Sequence, residues 1–296
     1  LRSLLNTFKK LDKDNSTKVI ILEGMGKGFS AGHNLKEARS LKKRSKYLKL
    51  FKLCSKLMLQ IVEGRKPIIA KVHGAAYAAG CQLVASCDLA YSTNDTMFAT
   101  PGVNIGLFCS TPMVAVSRKV NRKRMMKMLL TGEPIKANYA KEIGLINDHY
   151  SKVKLNREVL KLAKKIASKS NLTIKIGKQS FYKQLEMPLR KAYAYTSRMM
   201  TLNMMAMDAK EVGLINNHFS KSKLNSEVLK LAKNIASKSK LTIKIGKQAF
   251  YKQLEMPLRK AYMYTSKMMT LNMMAMDAKE GISAFLEKRK PKWKNK

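Results

Sequence analysis

Lys18-Val19-Ile20-Ile21-Leu22-Glu23-Gly24-Met25-Gly26-Lys27-Gly28-Phe29-Ser30-Ala31-Gly32-His33-Asn34-Leu35-Lys36-Glu37 is the stretch whose reading decides the fold. Val19 to Leu22 form a short apolar run, which predicts a buried strand. Glycines at 24, 26, 28 and 32 lack a Cβ, so the backbone there can turn sharply and approach a ligand closely. His33 to Glu37 read as the start of a helix, where unpaired N–H groups favour developing negative charge. Backbone amides are the chemistry this segment is best equipped to offer.

The same device recurs downstream. Leu50, Phe51, Leu53, Leu57, Met58 and Ile61 have helical spacing, which predicts a helix over Leu41 to Glu63 that Pro67 ends. Ile68, Ile69, Ala70 and Val72 read as a second buried strand. Gly74 to Gly80 form a small-residue turn leading into a helix at Cys81 to Ser86, and Leu89 to Ser92 return as a strand. Short strands alternating with helices indicate an α/β layered fold. Two strand–turn–helix units brought together would aim two amide donors at one oxygen atom, the composition of an oxyanion hole.

These residues resemble the crotonase superfamily, the enoyl-CoA hydratases and isomerases. Gly28 to Glu37 is similar to the family's first signature, Pro67 to Asp88 with Ala78-Ala79-Gly80-Cys81-Gln82 to its second, and Phe98 to Gly106 to its third. Leu130-Thr131-Gly132 with Ile135, Ala137, Ala140 and Gly144-Leu145-Ile146 follows in the family's order. The tail carries Glu280, Gly281, Phe285, Lys288, Arg289, Pro291 and Trp293 as relatives do. Ala79 to Asp88 and Gly106 to Pro112 look most like the enoyl-CoA hydratase domain-containing protein 3 group.

The resemblance implies an α/β, crotonase-like (ClpP/crotonase) spiral core with a C-terminal helical region, assembled as a trimer or hexamer. It implies an acyl-CoA thioester as ligand, with coenzyme A entering as part of the substrate and no tightly bound cofactor. The thioester oxygen would accept from the backbone N–H groups of His33 and Ala79. Ala31 would lie along the bound coenzyme A, and Lys288 and Arg289 would meet its phosphates. The two glutamates that hydratases use fall at Gln82 and Gly102, and neither can exchange a proton. Each lost acid–base group forfeits roughly 10²–10⁴-fold, so ordinary hydration is not expected. Enolate stabilisation, in fatty-acid or related acyl-CoA metabolism, is. The resemblance places a eukaryotic chain in the mitochondrial matrix and a bacterial one in the cytoplasm.

Composition narrows the classes further. No run of some eighteen apolar residues exists, which argues against a membrane-spanning helix. Helical spacing from Leu1 onward, with neither an initiator Met nor a signal-peptide pattern, leads us to expect that N-terminal strands are missing. Cys54, Cys81, Cys87 and Cys109 form no C-x-x-C pair, so we expect reduced thiols and no metal. The net charge of +40 is spread over nearly every segment in Lys rather than clustered, which favours compositional drift over a nucleic-acid footprint. RNA binding by a basic crotonase-like protein, with Lys9, Lys10 and Lys13 on the first helix, is the alternative. Gly28-x-Ser30-x-Gly32 also fits the nucleophile elbow of serine hydrolases. No acid followed by an independent His completes a triad, because His149 and His218 are one position of a repeat.

That repeat is the other feature of the chain. Residues 142–210 recur as 211–279, a period of 69 residues with ten differences. Each copy is expected to hold a Gly-Leu-Ile-Asn strand, a helix around Val159 or Val228, and a Met-rich helix after Pro188 or Pro257. The Met residues, including Met199, Met200, Met204, Met205 and Met207, read as core or interface rather than an acyl tunnel. We therefore divide the chain into a core at 1–141, a first helical copy at 142–210, and a second copy with the basic tail at 211–296. Two copies cannot share one docking site. We expect the early part of copy one on the core, the late part of copy two carrying the tail, and the stretch between them bulging out.

Overall fold

The computed structural model describes residues 1–204 and 221–295. The amphipathic helix α1 (Arg2–Lys13) buries Leu5 and Phe8 and leads into strand β1 (Ile20–Glu23). The glycine stretch follows, and then α2 (Leu35–Ser40). Asn34 caps α2, its Oδ1 accepting from the N–H groups of Lys36 (3.1 Å) and Glu37 (3.3 Å), as a good N-cap residue does. The long helix is α3 (Arg44–Glu63) and begins three residues later than its apolar spacing predicts. Lys42 breaks the run with a left-handed φ of 50°, which no Gly or Pro signals.

Strands β2 (Ile68–Val72) and β3 (Ala75–Tyr77) precede α4 (Ala79–Ser86), and β4 (Leu89–Thr93) and β5 (Met97–Ala99) follow it. A 3₁₀ turn over Pro101–Ile105 leads to α5 (Pro112–Val116), α6 (Arg122–Thr131), β6 (Ile135–Lys136), α7 (Ala137–Glu142) and β7 (Asp148–Tyr150). One sheet has the order β1-β2-β4-β7 with every pair parallel, and a second has the order β3-β5-β6. In β2, Ile68, Ala70 and Val72 share a core with Leu57, Met58 and Ile61 of α3, while Ile69 points to the other face. Alternation on a strand buried on both sides is what a layered parallel sheet requires.

The expected strand at Gly144 to Asn147 is instead a turn, with Gly144 at φ 78°, and the strand is the polar β7. The chain must swing out of α7 to reach the edge of β4. Asn147 makes the join: its N–H donates to the Ala90 carbonyl and its side-chain oxygen accepts from the Ala90 N–H, both at 2.8 Å. The corresponding Gly213-Leu214-Ile215 of the second copy lies outside the described residues.

The remaining helices come from the repeat. Copy one supplies α8 (Lys152–Ala167), α9 (Asn171–Gln184) and α10 (Leu189–Met204); copy two supplies α11 (Lys221–Ala236), α12 (Lys240–Leu254) and α13 (Leu258–Met274). Helix α14 (Met276–Leu286) carries the tail. Leu155 and Val159 of α8 cover Ile69 on the open face of the sheet. Copy two's α12 and α13 pack into the main core through Ala249, Phe250, Ala261 and Tyr262. Ser266 of α13 meets Ser55 of α3, hydroxyl to hydroxyl, at 3.1 Å.

Matched residues of the two copies therefore live in different surroundings. Phe250 is 0% exposed where Phe181 is 53%, and Tyr262 is 2% exposed where Tyr193 is 69%. Gly246 lies against the Phe108 ring, whereas a Cβ on Gly177 would meet nothing within 4 Å among the described residues. Copy one has its own anchor instead. The Lys178 ammonium donates to Asp88 (2.7 Å) and to the carbonyls of Ile61 and Lys66, both at 2.8 Å, while Lys247 is exposed. Near-identical segments adopt the same helices, and their tethers decide which face each one buries.

Candidate active site

The two glycine-rich turns meet. Phe29 and Ser30 run alongside β3: the Phe29 N–H donates to His73, the Ser30 N–H to Ala75, and the Tyr77 N–H to the Ser30 carbonyl at 2.8 Å. Ser30 and Ala76 pair as an isolated parallel bridge. Gly80 faces the Ser30 carbonyl so closely that a Cβ would overlap it. Gly32, at φ 98°, is packed so that a Cβ would stand 3.1 Å from the Ala78 Cβ and 3.3 Å from the Ala79 nitrogen. Ala78 has a positive φ of 49°, which turns the chain abruptly into α4. A non-glycine residue there is strained, and such strain persists only where its surroundings over-determine it.

Ala79 opens α4, so its N–H has no carbonyl behind it within the helix. Among the described residues neither that N–H nor the His33 N–H donates to a protein acceptor. Ser30, Gly32, His33 and Ala79 line one cavity of about 720 Å³, walled on its apolar side by Leu50, Leu53, Leu57, Met58 and Leu83. Its charged members are Arg2, Lys46, Lys49 and Glu37. Spacing alone flags Lys46 and Lys49, three apart on α3, as neighbours on one face, but in so lysine-rich a chain that signal does not stand out.

The His33 ring lies edge-on to Phe51 at 5.8 Å, and its Nε2 is buried without a partner. Burial is the main force that holds its imidazole down at about 4. The ring is neutral at physiological pH. Gln82 is fully buried one turn into α4 and does not line the cavity. Its Oε1 accepts from the Cys54 thiol (3.6 Å) and its Nε2 is unpartnered. Gly102 has no room for any side chain: a Cβ would stand 2.6 Å from the Leu107 carbonyl oxygen and 2.9 Å from the Cys109 sulfur.

The other candidate residues lie elsewhere. Ala31 is exposed beside the cavity but does not line it. Lys288 and Arg289 are exposed just after α14, and the Arg289 guanidinium is held by Glu280 (2.6 Å) and Glu287 (2.7 Å). The Ser30 hydroxyl accepts from the Gly32 N–H, while His73 bonds the Gly26 carbonyl and His149 bonds Asn94, so none of these forms a triad. All four cysteines are buried and unpaired; burial pushes the Cys54 thiol up to about 12 and raises the other three as well. Met199 and Met200 do not line the cavity, and Met205 and Met207 lie outside the described residues. Among the described residues, no His, Cys, Asp or Glu side chains group in threes as metal ligands would. No helix there is long and apolar enough to cross a membrane.

Comparison with known proteins follows this geometry. Residues 1–202 and 189–296 each match the enoyl-CoA hydratase/isomerase family, so the two matches together take in both copies. Over 211 residues the chain is 46% identical to the human mitochondrial enoyl-CoA hydratase domain-containing protein 3, covering 71% of this chain and 70% of that protein. It is 31% identical over 209 residues to the mitochondrial enoyl-CoA hydratase of Pongo abelii, covering 70% and 71%. Among solved structures, an enoyl-CoA hydratase of Mycobacterium smegmatis superposes with a TM-score of 0.67 at 36% identity, covering 99% of this chain and 87% of that one. The human enoyl-CoA hydratase domain-containing protein 3 superposes at 0.64 with 36% identity, covering 98% and 90%.

Proposed function

The chain belongs to the enoyl-CoA hydratase/isomerase family, and from that premise we propose that it binds an acyl-CoA thioester and stabilises its enolate. The observation that carries this reading is the meeting of the two turns. They leave two backbone N–H groups, on His33 and Ala79, without acceptors among the described residues beside one cavity. Preorganised donors of this kind are each worth roughly 10²–10³ in rate where charge develops on an oxygen. Peptide amides serve whatever the side chain, so Ala at 79 does not spoil the pair. Arg2, Lys46 and Lys49 at the cavity provide cations for the coenzyme A phosphates. Lys288 is free to join them, whereas Arg289 would first have to leave Glu280.

Hydration by the family's two-carboxylate route is not part of this function. At Gln82 the carboxamide cannot exchange a proton, and at Gly102 the protein fills the space a glutamate would need. The neutral His33 ring takes over neither role, since a group that ionises near 4 is a weak base at neutral pH. The setting we assign is acyl-CoA metabolism, in the mitochondrial matrix for a eukaryotic chain and as a homo-trimer or hexamer.

Two measurements on the full chain test the proposal: calorimetric binding of butanoyl-CoA and turnover of crotonyl-CoA. Saturable thioester binding with negligible hydration supports it. Turnover close to that of a glutamate-bearing family member, or no thioester binding, overturns it. If salt-sensitive RNA binding that acyl-CoA does not displace appears instead, the basic face of α1 (Lys9, Lys10 and Lys13, all exposed) becomes the functional surface.

A further inference from the structure

The duplication creates a second cavity, of about 800 Å³, away from the thioester site. Two matched turns face each other across it: Leu185-Glu186-Met187-Pro188 of copy one and Leu254-Glu255-Met256-Pro257 of copy two. Core residues Val62, Ala85 and Ala115 close its floor, and Tyr182 and Tyr262 stand at its sides. Its size is that of a small-molecule pocket and its wall is largely apolar, with few polar groups.

Those polar groups include two cations, Arg118 and Lys119, and two carboxylates, Glu186 and Glu255, the latter paired with Arg122 at 3.9 Å. The Arg118 guanidinium bridges the copies, donating to the Val114 carbonyl (2.9 Å), the Gln253 side-chain oxygen (2.9 Å) and the Met256 carbonyl (3.3 Å), with Glu186 at 4.0 Å. Glu186 also accepts from the Leu258 N–H. Lys119 has no such partner. Its ammonium touches only the Tyr182 hydroxyl (3.4 Å) and lies 5.2 Å from the centre of that ring, and no carboxylate among the described residues comes within ion-pair range. The nearest acid, Asp88, is already taken by the Lys178 ammonium at 2.7 Å and the Ile68 N–H at 2.7 Å. Burial lowers the Lys119 ammonium from its usual range. The Lys119 ammonium thus lies half-buried and without an ion pair among the described residues at the edge of an apolar cavity, and a cation so placed is costly until an anion meets it.

We propose that this inter-copy cavity binds a medium-chain monocarboxylate, its carboxylate paired with Lys119 and its chain against Val62, Ala115, Leu185, Met187 and Leu254. Lys119 is the cation that a ligand completes, while Arg118 is the strut that holds the two turns together. The site exists only because both copies are present, and it is independent of the reading of the thioester cavity.

The test is calorimetric binding of decanoate to the full chain, with decanol and coenzyme A as controls. Decanoate is expected to bind saturably and more tightly than decanol, and saturating coenzyme A is expected not to displace it. Lys119→Met keeps the length of the side chain and removes the charge; it should weaken decanoate at least ~10-fold while leaving decanol unchanged. Leu185→Asp alters an exposed position on the rim and should also weaken decanoate, which keeps the test decisive if the Lys119 variant does not fold. Absence of decanoate binding overturns the proposal. So does displacement by coenzyme A, which would put the acid in the thioester cavity, or equal affinity in a folded Lys119→Met or Leu185→Asp chain.

Discussion

Replacing the same glycine by alanine in each copy should move stability in opposite directions. Gly177 and Gly246 sit in identical Ile-Lys-Ile-Gly-Lys-Gln contexts, each in the middle of a helix. In both, alanine gains about 1 kcal/mol of helix propensity over glycine. At Gly177 nothing among the described residues lies within 4 Å of the new methyl group, so Gly177→Ala keeps that gain. At Gly246 the methyl would overlap the Phe108 ring, which is fully buried and whose backbone N–H is tied to Asn272 at 2.6 Å. Overpacking a rigid core costs ~1–3 kcal/mol and occasionally more. With Phe108 unable to retreat the upper end applies, leaving Gly246→Ala a net loss of about 2 kcal/mol. Urea unfolding read by circular dichroism, with unchanged slopes, checks both variants. A loss in Gly177→Ala with a harmless Gly246→Ala would refute the reasoning, because it would place copy one in the core groove.

Three further outcomes follow from the same structure. Lys178→Met strands Asp88 and should cost about 3–5 kcal/mol, whereas Lys247→Met on the exposed twin should stay within about 0.5 kcal/mol in the same unfolding assay. His33 is held at about 4, below its unfolded value near 6.5, so the folded state binds fewer protons between those pH values. Its contribution is therefore fully present above pH 6.5 and is lost as the pH falls toward 4; a flatter acid limb in His33→Gln and a ring resonance titrating near 4 are the expected readouts. Deleting residues 142–210 restores a single copy, and we expect soluble, folded protein that binds butanoyl-CoA at least as well; loss of folded protein would show that both copies are structurally required.

How much of this was legible in the sequence depends on where burial leaves a pattern. Strands β1, β2 and β4 are covered on both faces, so they read as apolar runs. The glycine and alanine turns could be read because close backbone approach excludes a Cβ at Gly32 and Gly80. Strand β7 could not, since Asp148-His149-Tyr150 lies at the sheet edge with no buried residue. The break before α3 was hidden because Lys42 adopts a left-handed turn without a glycine. The cations of the cavity beside His33 and Ala79, namely Arg2, Lys46 and Lys49, were lost among so many lysines, while the more conspicuous Arg289 is spent on Glu280. No local pattern separates Phe181 from Phe250 or Lys178 from Lys247. Their fates follow from what each copy is tethered to, which near-identical sequences cannot encode.

The central claim is that the His33 and Ala79 amides polarise a thioester carbonyl, and its most direct test is the infrared difference spectrum of carbonyl-labelled butanoyl-CoA bound to the full chain. Two donors on one oxygen weaken the carbonyl bond, so the account predicts a shift of the labelled band to lower frequency on binding, retained in His33→Ala because the amide remains. A bound thioester whose carbonyl band stays at its solution position would contradict it.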